Sequence, residues 1–291
     1  MSADPPTFDL QSHSVHSDGA LPASQVVEAA AAAGVELMAL SDHDSVDGVQ
    51  EAIETASRLG VGIVPAVEIS ALDEAGHDLH ILGYMVDHTD PALLDRLEAY
   101  RQDREGRADR MAAALKELGY ELDEESLAAR AAEGKSIGRP HLARAAVTHP
   151  ANAARLEAEG LTDPSAFLVE YLIEGRPAFV PRAAPTVEEA IELIHGAGGV
   201  AVWAHPFWDI ENAEAVIAAL ERFQAAGLDG VEAFYVTHTE EQTRLLVGHA
   251  AQTGLLTTGS SDFHGPEHHT FMHFRAFATY GLEPTLGPLA G

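Results

Sequence analysis

The chain predicts an α/β barrel interrupted by a helical insert, and three observations carry that expectation. Seven short apolar stretches read as strands. Nearly all of them end on a histidine or a carboxylate. Between residues 90 and 175 the alternation of strand and helix gives way to helix alone. A barrel of parallel strands brings strand C-termini to one mouth, so polar residues scattered along the chain would converge there.

The elements follow in order. The first candidate strand, 7–10, runs on to His13, and an alanine-rich helix is expected over 22–33. Strand 36–40 leads to Asp42 and His43, helix 46–59 follows, and strand 62–67 leads to Glu68. Strand 78–86 carries His80 inside it. Each of the two helices is followed by glycine and an apolar strand, which is the βαβ rhythm of a parallel sheet. Segment 91–118 then places Leu93, Leu94, Leu97, Met111, Leu115 and Leu118 at helical spacings. Further helices are expected over 124–133, 140–147 and 164–173, with glycine and proline between them. From Thr186 the alternation returns with helix 187–195 and strand 199–204, ending at His205. Strand 230–231 ends at Glu232, and strand 255–258 leads to Asp262 and His264. The expected organisation is a first barrel part over 1–88, a helical insertion domain over 89–178, and a second barrel part over 179–291.

Composition bounds the function. With 46% hydrophobic and 22% charged residues, the 291-residue chain can bury a substantial core. No apolar run approaches the ~20 residues that span a bilayer, so no membrane partner is expected. The first residues lack the basic and apolar regions of a signal peptide, which points to the cytoplasm. There is no cysteine, so a metal site must use nitrogen and oxygen donors. A net charge of −29 would repel a long nucleic acid, which needs a basic track. A small phosphorylated molecule is different, because local arginines and bound cations can outweigh the distant field. The acidity also serves solubility or a salty host. Oligomeric state leaves no mark in the sequence.

The segment His13-Ser-Val-His16-Ser-Asp18-Gly19 packs two histidines and an aspartate into a turn after a strand, and Ser41-Asp42-His43-Asp44 does the same. A lone histidine after a strand is ordinarily a hydrogen-bonded loop residue. Here the placement recurs at His80, His205, Asp262 and His264, and histidine with carboxylate is the donor set of Mn²⁺, Zn²⁺ and Fe²⁺. Asp262 and His264, two apart, share one face if extended. Neither a Gly-x-x-x-x-Gly-Lys phosphate loop nor a Gly-x-Ser-x-Gly elbow occurs. These features predict a multi-metal hydrolase.

Five ordered motifs resemble those of the PHP (polymerase and histidinol phosphatase) superfamily. They are Asp9-Leu-Gln-Ser-His13-Ser-Val-His-Ser-Asp18-Gly, Leu40-Ser-Asp-His43-Asp44, Glu68 with His80, Ala204-His205-Pro206, and Ser260-Ser-Asp262-Phe-His264. The resemblance implies a distorted (β/α)7 TIM-like barrel holding two or three divalent cations. One position would use His13 and Asp262 with Glu68 bridging, a second Glu68 with His80 and His205, and a third Asp18, His43 and His264. His205, Asp262 and Glu68 would act in catalysis through the bound metals, with a metal-bridging hydroxide as nucleophile. One residue departs from the pattern. Gln11 stands where the family has its leading histidine, so the first position keeps at best a neutral amide oxygen from Gln11, or borrows His16.

The insert supplies the expectation about substrate. Ser136-Ile-Gly-Arg139-Pro-His141 places a basic pair at a helix N-terminus, a position that favours anions, although a capped surface helix would look the same. Together with Tyr171-Leu-Ile-Glu-Gly-Arg176-Pro-Ala-Phe-Val-Pro-Arg182, this resembles enzymes that remove the 3′-phosphate from nucleoside 3′,5′-bisphosphates, and relatives that trim short RNAs from the 5′ end. By that resemblance Arg139 and His141 would hold the second, non-reacting phosphate, with Arg176 and Arg182 as weaker candidates. Trp203, Phe207 and Trp208 flank His205 and would serve either as core and rim packing or as stacking surface. The expected activity is thus hydrolysis of a small nucleotide phosphomonoester. The alternatives are a 5′–3′ exonuclease on short oligonucleotides and a non-catalytic metal-binding protein.

Overall fold

The computed structural model describes residues 6–132, 137–181 and 184–290. Two compact units appear, one formed by residues 1–98 with 184–291 and the other by residues 99–183. The first unit opens with β1 (Phe8–Asp9), α1 (Ala23–Ala32), β2 (Leu37–Leu40), α2 (Val49–Leu59), β3 (Gly62–Leu72) and β4 (Asp78–Tyr84). Helix α3 (Pro91–Glu117) starts in it and continues into the second unit.

Seven strands form one sheet in the order β1 to β7. The last three are β5 (Val200–Trp203), β6 (Gly230–Tyr235) and β7 (Leu256–Ser260). The Leu10 amide donates to the Gly259 carbonyl at 3.1 Å and Ser12 bridges Phe263, so the sheet curls back on itself into a nearly closed barrel.

One strand corrects the parallel reading. β4 runs antiparallel to both β3 and β5, while the other pairings are parallel. Its direction follows from the connection. Only residues 73–77 separate β3 from β4, too few for a crossover helix, so the chain must turn back as a hairpin. Asp73 Oδ1 accepts the amides of Ala75 and His77 at 2.9 and 2.8 Å, and Gly76 takes a φ of 84° that suits glycine. His80 therefore reaches the mouth from the start of its strand rather than the end. β3 also continues past Glu68 to Leu72, which places Glu68 inside a paired strand, opposite Leu82.

Helix α1 is alanine-rich because it packs closely. Ala23, Val26, Val27 and Ala30 are buried with Ala52 and Ala56 of α2 and Met38 and Leu40 of β2. The second barrel part adds α8 (Val187–Gly196), the short α9 (Pro206–Asp209), α10 (Ala213–Ala225) and α11 (Glu240–Thr253). Caps start three of these four helices. The Thr186 and Thr239 hydroxyls accept the amides of Glu189 and Gln242, whose side chains accept back from the threonine amides, and Asn212 accepts from Ala215. Each such cap is worth roughly 1 kcal/mol. Trp203 is fully buried with its ring 5.2 Å from Phe223, so it is core and not site surface.

The second unit is helical, with α4 (Glu124–Ala132), α5 (Arg139–Thr148), α6 (Ala153–Glu159) and α7 (Pro164–Tyr171). Its own core gathers Met111, Leu115, Tyr120, Leu142, Leu156 and Phe167. Of the leucines at helical spacing in α3, Leu93 and Leu97 are buried, whereas Leu94 is 38% exposed. No described helix is long and apolar enough to cross a membrane.

Candidate metal centre

The loop after β1 shapes the first part of the site. Ser14 donates through both its amide and its hydroxyl to Asp42 at 2.7 Å, and Ser17 Oγ donates to the same carboxylate at 2.6 Å. Asp42 thereby ties the end of β2 to the loop that carries His13 and Asp18. Gly19 lets the loop fold back, since a Cβ there would collide with the His13 carbonyl. Three residues of the site loops hold left-handed backbones uncommon outside glycine, Asp44 at φ 49°, His205 at 28° and Asp262 at 54°. Such strain of order 1–3 kcal/mol per residue persists where the surroundings over-determine it.

Among the described residues three groups of donor atoms converge, the atoms of each group lying within 4.8 Å of one another. They are His13 with Glu68 and Asp262; His43 with Glu68 and His80; and His13 with Asp18, His43 and His264. Glu68, fully buried, is the hub. Its Oε2 lies 3.1 Å from His13 Nε2 and 3.6 Å from His43 Nδ1, and its Oε1 lies 2.7 Å from His80 Nδ1 and 3.2 Å from His205 Nε2. His13 Nε2 is also 3.0 Å from Asp262 Oδ1. His264 Nε2 is 3.3 Å from Asp18 Oδ1, with the Asp18 side chain 41% exposed at the rim. Five imidazoles follow in a line, with centroids 4.2 to 5.2 Å apart from His264 through His13, His43 and His80 to His205.

These residues fit divalent cations. His13 Nε2, His43 Nδ1, His80 Nδ1 and Asp262 Oδ1 are buried without an aligned hydrogen bond, although carboxylate or imidazole atoms lie close. Buried polar atoms are nearly always hydrogen-bonded, and lone pairs aimed at a common point are what a cation satisfies. The electrostatics agree. Burial pushes the Glu68 carboxyl up, but His43, His80, His13 and His205 outweigh it and hold it well below the usual range. Burial pushes His205 down, and Glu68 overrides it to lift the imidazole to about 9. His43 is driven by burial to about 3, so it stays a neutral donor.

Gln11, which replaces the family's leading histidine, lies beside Glu68. Its carboxamide nitrogen donates to Glu68 Oε2 at 2.9 Å, and its oxygen accepts from Ser260 Oγ at 3.2 Å. In this arrangement the Gln11 side chain bridges Glu68 and Ser260. His16 is exposed and belongs to none of the three groups.

Several residues support the cluster from behind. Glu232 Oε2 accepts the His205 amide at 2.9 Å and its Oε1 meets Ser260 Oγ at 2.6 Å. Tyr235 donates to Asp262 Oδ2 at 2.8 Å, leaving Oδ1 to the cluster. Asp9 accepts from the Ser261 and Arg275 amides and fixes the β7 end. Glu232 was legible as a carboxylate after an apolar run, although β6 continues past it to Tyr235, which lay outside the expected strand 230–231 and carried no signal.

In the helical unit, Arg139 opens α5 and is half-buried. His141 Nδ1 accepts the Gly138 amide at 3.0 Å, which commits that nitrogen to the cap and puts the ring proton on Nε2. Burial, then Arg130 and Arg144, lower the His141 pKa. Arg176 lies 3.6 Å from Glu170, and Arg182 falls outside the described residues.

Comparison with known proteins gives a consistent picture. The PHP domain model matches residues 9–134. The chain is 33% identical over 259 residues to the 3′,5′-nucleoside bisphosphate phosphatase of Chromobacterium violaceum, covering 89% of this chain and 87% of that protein. It is 34% identical to a 5′-3′ exoribonuclease of Haemophilus influenzae, with 89% and 90% covered. A solved structure from Bifidobacterium adolescentis, an inferred metal-dependent phosphoesterase, superposes with a TM-score of 0.71 at 29% identity over 92% of this chain and 91% of that one. With the barrel, the donor cluster and these likenesses together, the chain belongs to the PHP domain family and is a metal-dependent phosphoesterase within it.

Proposed function

We propose that the enzyme removes the 3′-phosphate from nucleoside 3′,5′-bisphosphates, using two or three divalent cations. Its metal-dependent chemistry rests on Glu68, one buried carboxylate facing His13, His43, His80 and His205 at once, and its substrate on the likeness to a nucleoside bisphosphate phosphatase. The first cation would be held by His13, Glu68 and Asp262, the second by Glu68, His80 and His205 with His43 beside them, and the third by Asp18, His43 and His264. Their nitrogen and oxygen donors suit Mn²⁺, Zn²⁺ or Fe²⁺. Bound divalent cations supply the Lewis acidity that polarises a phosphoryl group and activates water near neutral pH.

The chain's own contribution is orientation. Tyr235 fixes Asp262 from behind, and burial first, then Asp262 and Glu232, raise its pKa, so it remains a donor. Glu232 pins the strained backbone of His205 through its amide. Support of this kind behind ligands typically changes metal affinity by about 10–100-fold. Arg139 and the Nε2–H of His141, at the start of α5, supply donors suited to a second phosphate. That feature, and the likeness to a phosphatase of nucleoside bisphosphates, favour a substrate with two phosphates.

A second reading, 5′–3′ exonuclease action on short oligonucleotides, is favoured by the likeness to an exoribonuclease of nearly equal identity. The net charge of −29 counts against long nucleic acid as substrate in either case. Phosphate release from adenosine 3′,5′-bisphosphate, beside a short 5′-phosphorylated RNA, separates the two. Rapid release with 5′-AMP as product supports the phosphatase, and mononucleotides from the RNA with an inert bisphosphate would replace it.

A further inference from the structure

Trp208 stands on α9 three residues after His205, and its amide donates to the His205 carbonyl at 2.8 Å. It is 54% exposed, and it is the one aromatic among the exposed large apolar side chains of the described residues. A side chain this large is ordinarily buried or put to use at a binding surface. Its ring lies 5.7 Å from Phe271, which is itself largely buried. Phe271 in turn lies 5.5 Å from the His264 ring and 6.1 Å from Tyr235. The exposed indole is therefore one aromatic ring removed from the metal-binding imidazoles, and Phe271 backs it.

Resting on the phosphatase reading above, we infer that Trp208 is the stacking platform for the substrate's nucleobase. A phosphoryl group at the donor cluster carries a ribose, and a ribose places its base about one ring-width further out. An aromatic face at that remove matches the base in reach and chemistry. Stacking of a base on an aromatic side chain is worth ~1–3 kcal/mol and tolerates any base, because every base has a π-face. Trp208 would then give preference for nucleotides over sugar phosphates without selecting among bases.

The chain contains two tryptophans, and the other, Trp203, is fully buried. Intrinsic emission excited at the red edge of indole absorption carries both indoles, and comparison with Trp208→Leu isolates the part that comes from Trp208. The metal-loaded enzyme is titrated with adenosine 5′-monophosphate and, separately, with ribose 5-phosphate, which differs by the base alone. The expected result is saturable quenching by the nucleotide, little by the sugar phosphate, and loss of that quenching in Trp208→Leu. In kinetics, Trp208→Leu raises KM for adenosine 3′,5′-bisphosphate by about ten-fold with kcat less affected, and Trp208→Phe restores most of the loss. Equal quenching by both ligands, or by neither, overturns the inference. Base-dependent quenching in an enzyme that fails to hydrolyse the bisphosphate upholds the platform and sinks the phosphatase reading alone.

Discussion

The Gln11 carboxamide donates a 2.9 Å hydrogen bond to Glu68 Oε2, with both residues fully buried. The orientation is set from the far side, where Ser260 Oγ faces the amide oxygen and Glu232 faces Ser260. A histidine at this position would offer a ring nitrogen; glutamine offers an N–H and so positions the shared carboxylate. On the proposed assignment the first cation would have only His13, Glu68 and Asp262, and should be the weakest of the set. In calorimetric titration of chelated protein, Gln11→His is expected to tighten the weakest site by about ten-fold or more, and Gln11→Leu to loosen binding by about 10–100-fold. Unchanged affinity in both variants would remove Gln11 from the site's design.

Burial raises the Glu232 carboxyl from 4.5 to about 8. Its protonated oxygen can donate to Ser260, which frees the serine hydroxyl to donate to Gln11. The folded state retains a proton here that the unfolded chain releases above about pH 4.5. The resulting stabilisation is complete below that pH and is lost as pH rises through about 8. Glu232→Gln should flatten the loss of metal-free stability across this window, by an amount on the order of a few kcal/mol. Urea midpoints at both ends of the window measure it. An equally steep decline in the variant would locate the proton elsewhere.

His205→Ala should abolish hydrolysis and lower bound metal while the circular dichroism spectrum stays native. The imidazole faces Glu68 at 3.2 Å and is nearly fully buried, so its loss leaves a cavity and removes a donor. Truncation of that kind costs ~2–5 kcal/mol of stability, which a domain of this size can absorb. Full activity with normal metal content would refute the assignment.

Arg139→Ala tests the second-phosphate grip. KM for adenosine 3′,5′-bisphosphate should rise by about ten-fold or more, and far more than KM for a simple phosphomonoester such as 3′-AMP. An equal rise for both would mean that Arg139 serves the helix and not the substrate.

Much of this molecule is written locally. The strand-end placement of His13, His43, His205, Asp262 and His264 is visible because apolar runs and their polar ends are features of a few consecutive residues. The direction of β4 is not, since it depends on the short connection 73–77, whose Asp and Gly were outweighed by the strand–helix rhythm on either side. Trp203 and Trp208 look alike in the sequence, five residues apart, yet one faces the core from a barrel strand and the other faces water from a four-residue helix. Gln11 shows the opposite limit. Its identity marks a departure at once, but its role emerges only when Ser260, from the far end of the chain, meets its amide oxygen. The separation of 249 residues puts that partnership beyond any local pattern.

The most direct test of the multi-cation site is anomalous diffraction from crystals of the enzyme grown with Mn²⁺. Strong anomalous peaks are expected among His13, Glu68 and Asp262, among Glu68, His80 and His205, and among Asp18, His43 and His264, with Glu68 touching more than one. Anomalous density absent from the reach of Glu68, with Mn²⁺ bound elsewhere on the protein, would contradict that assignment.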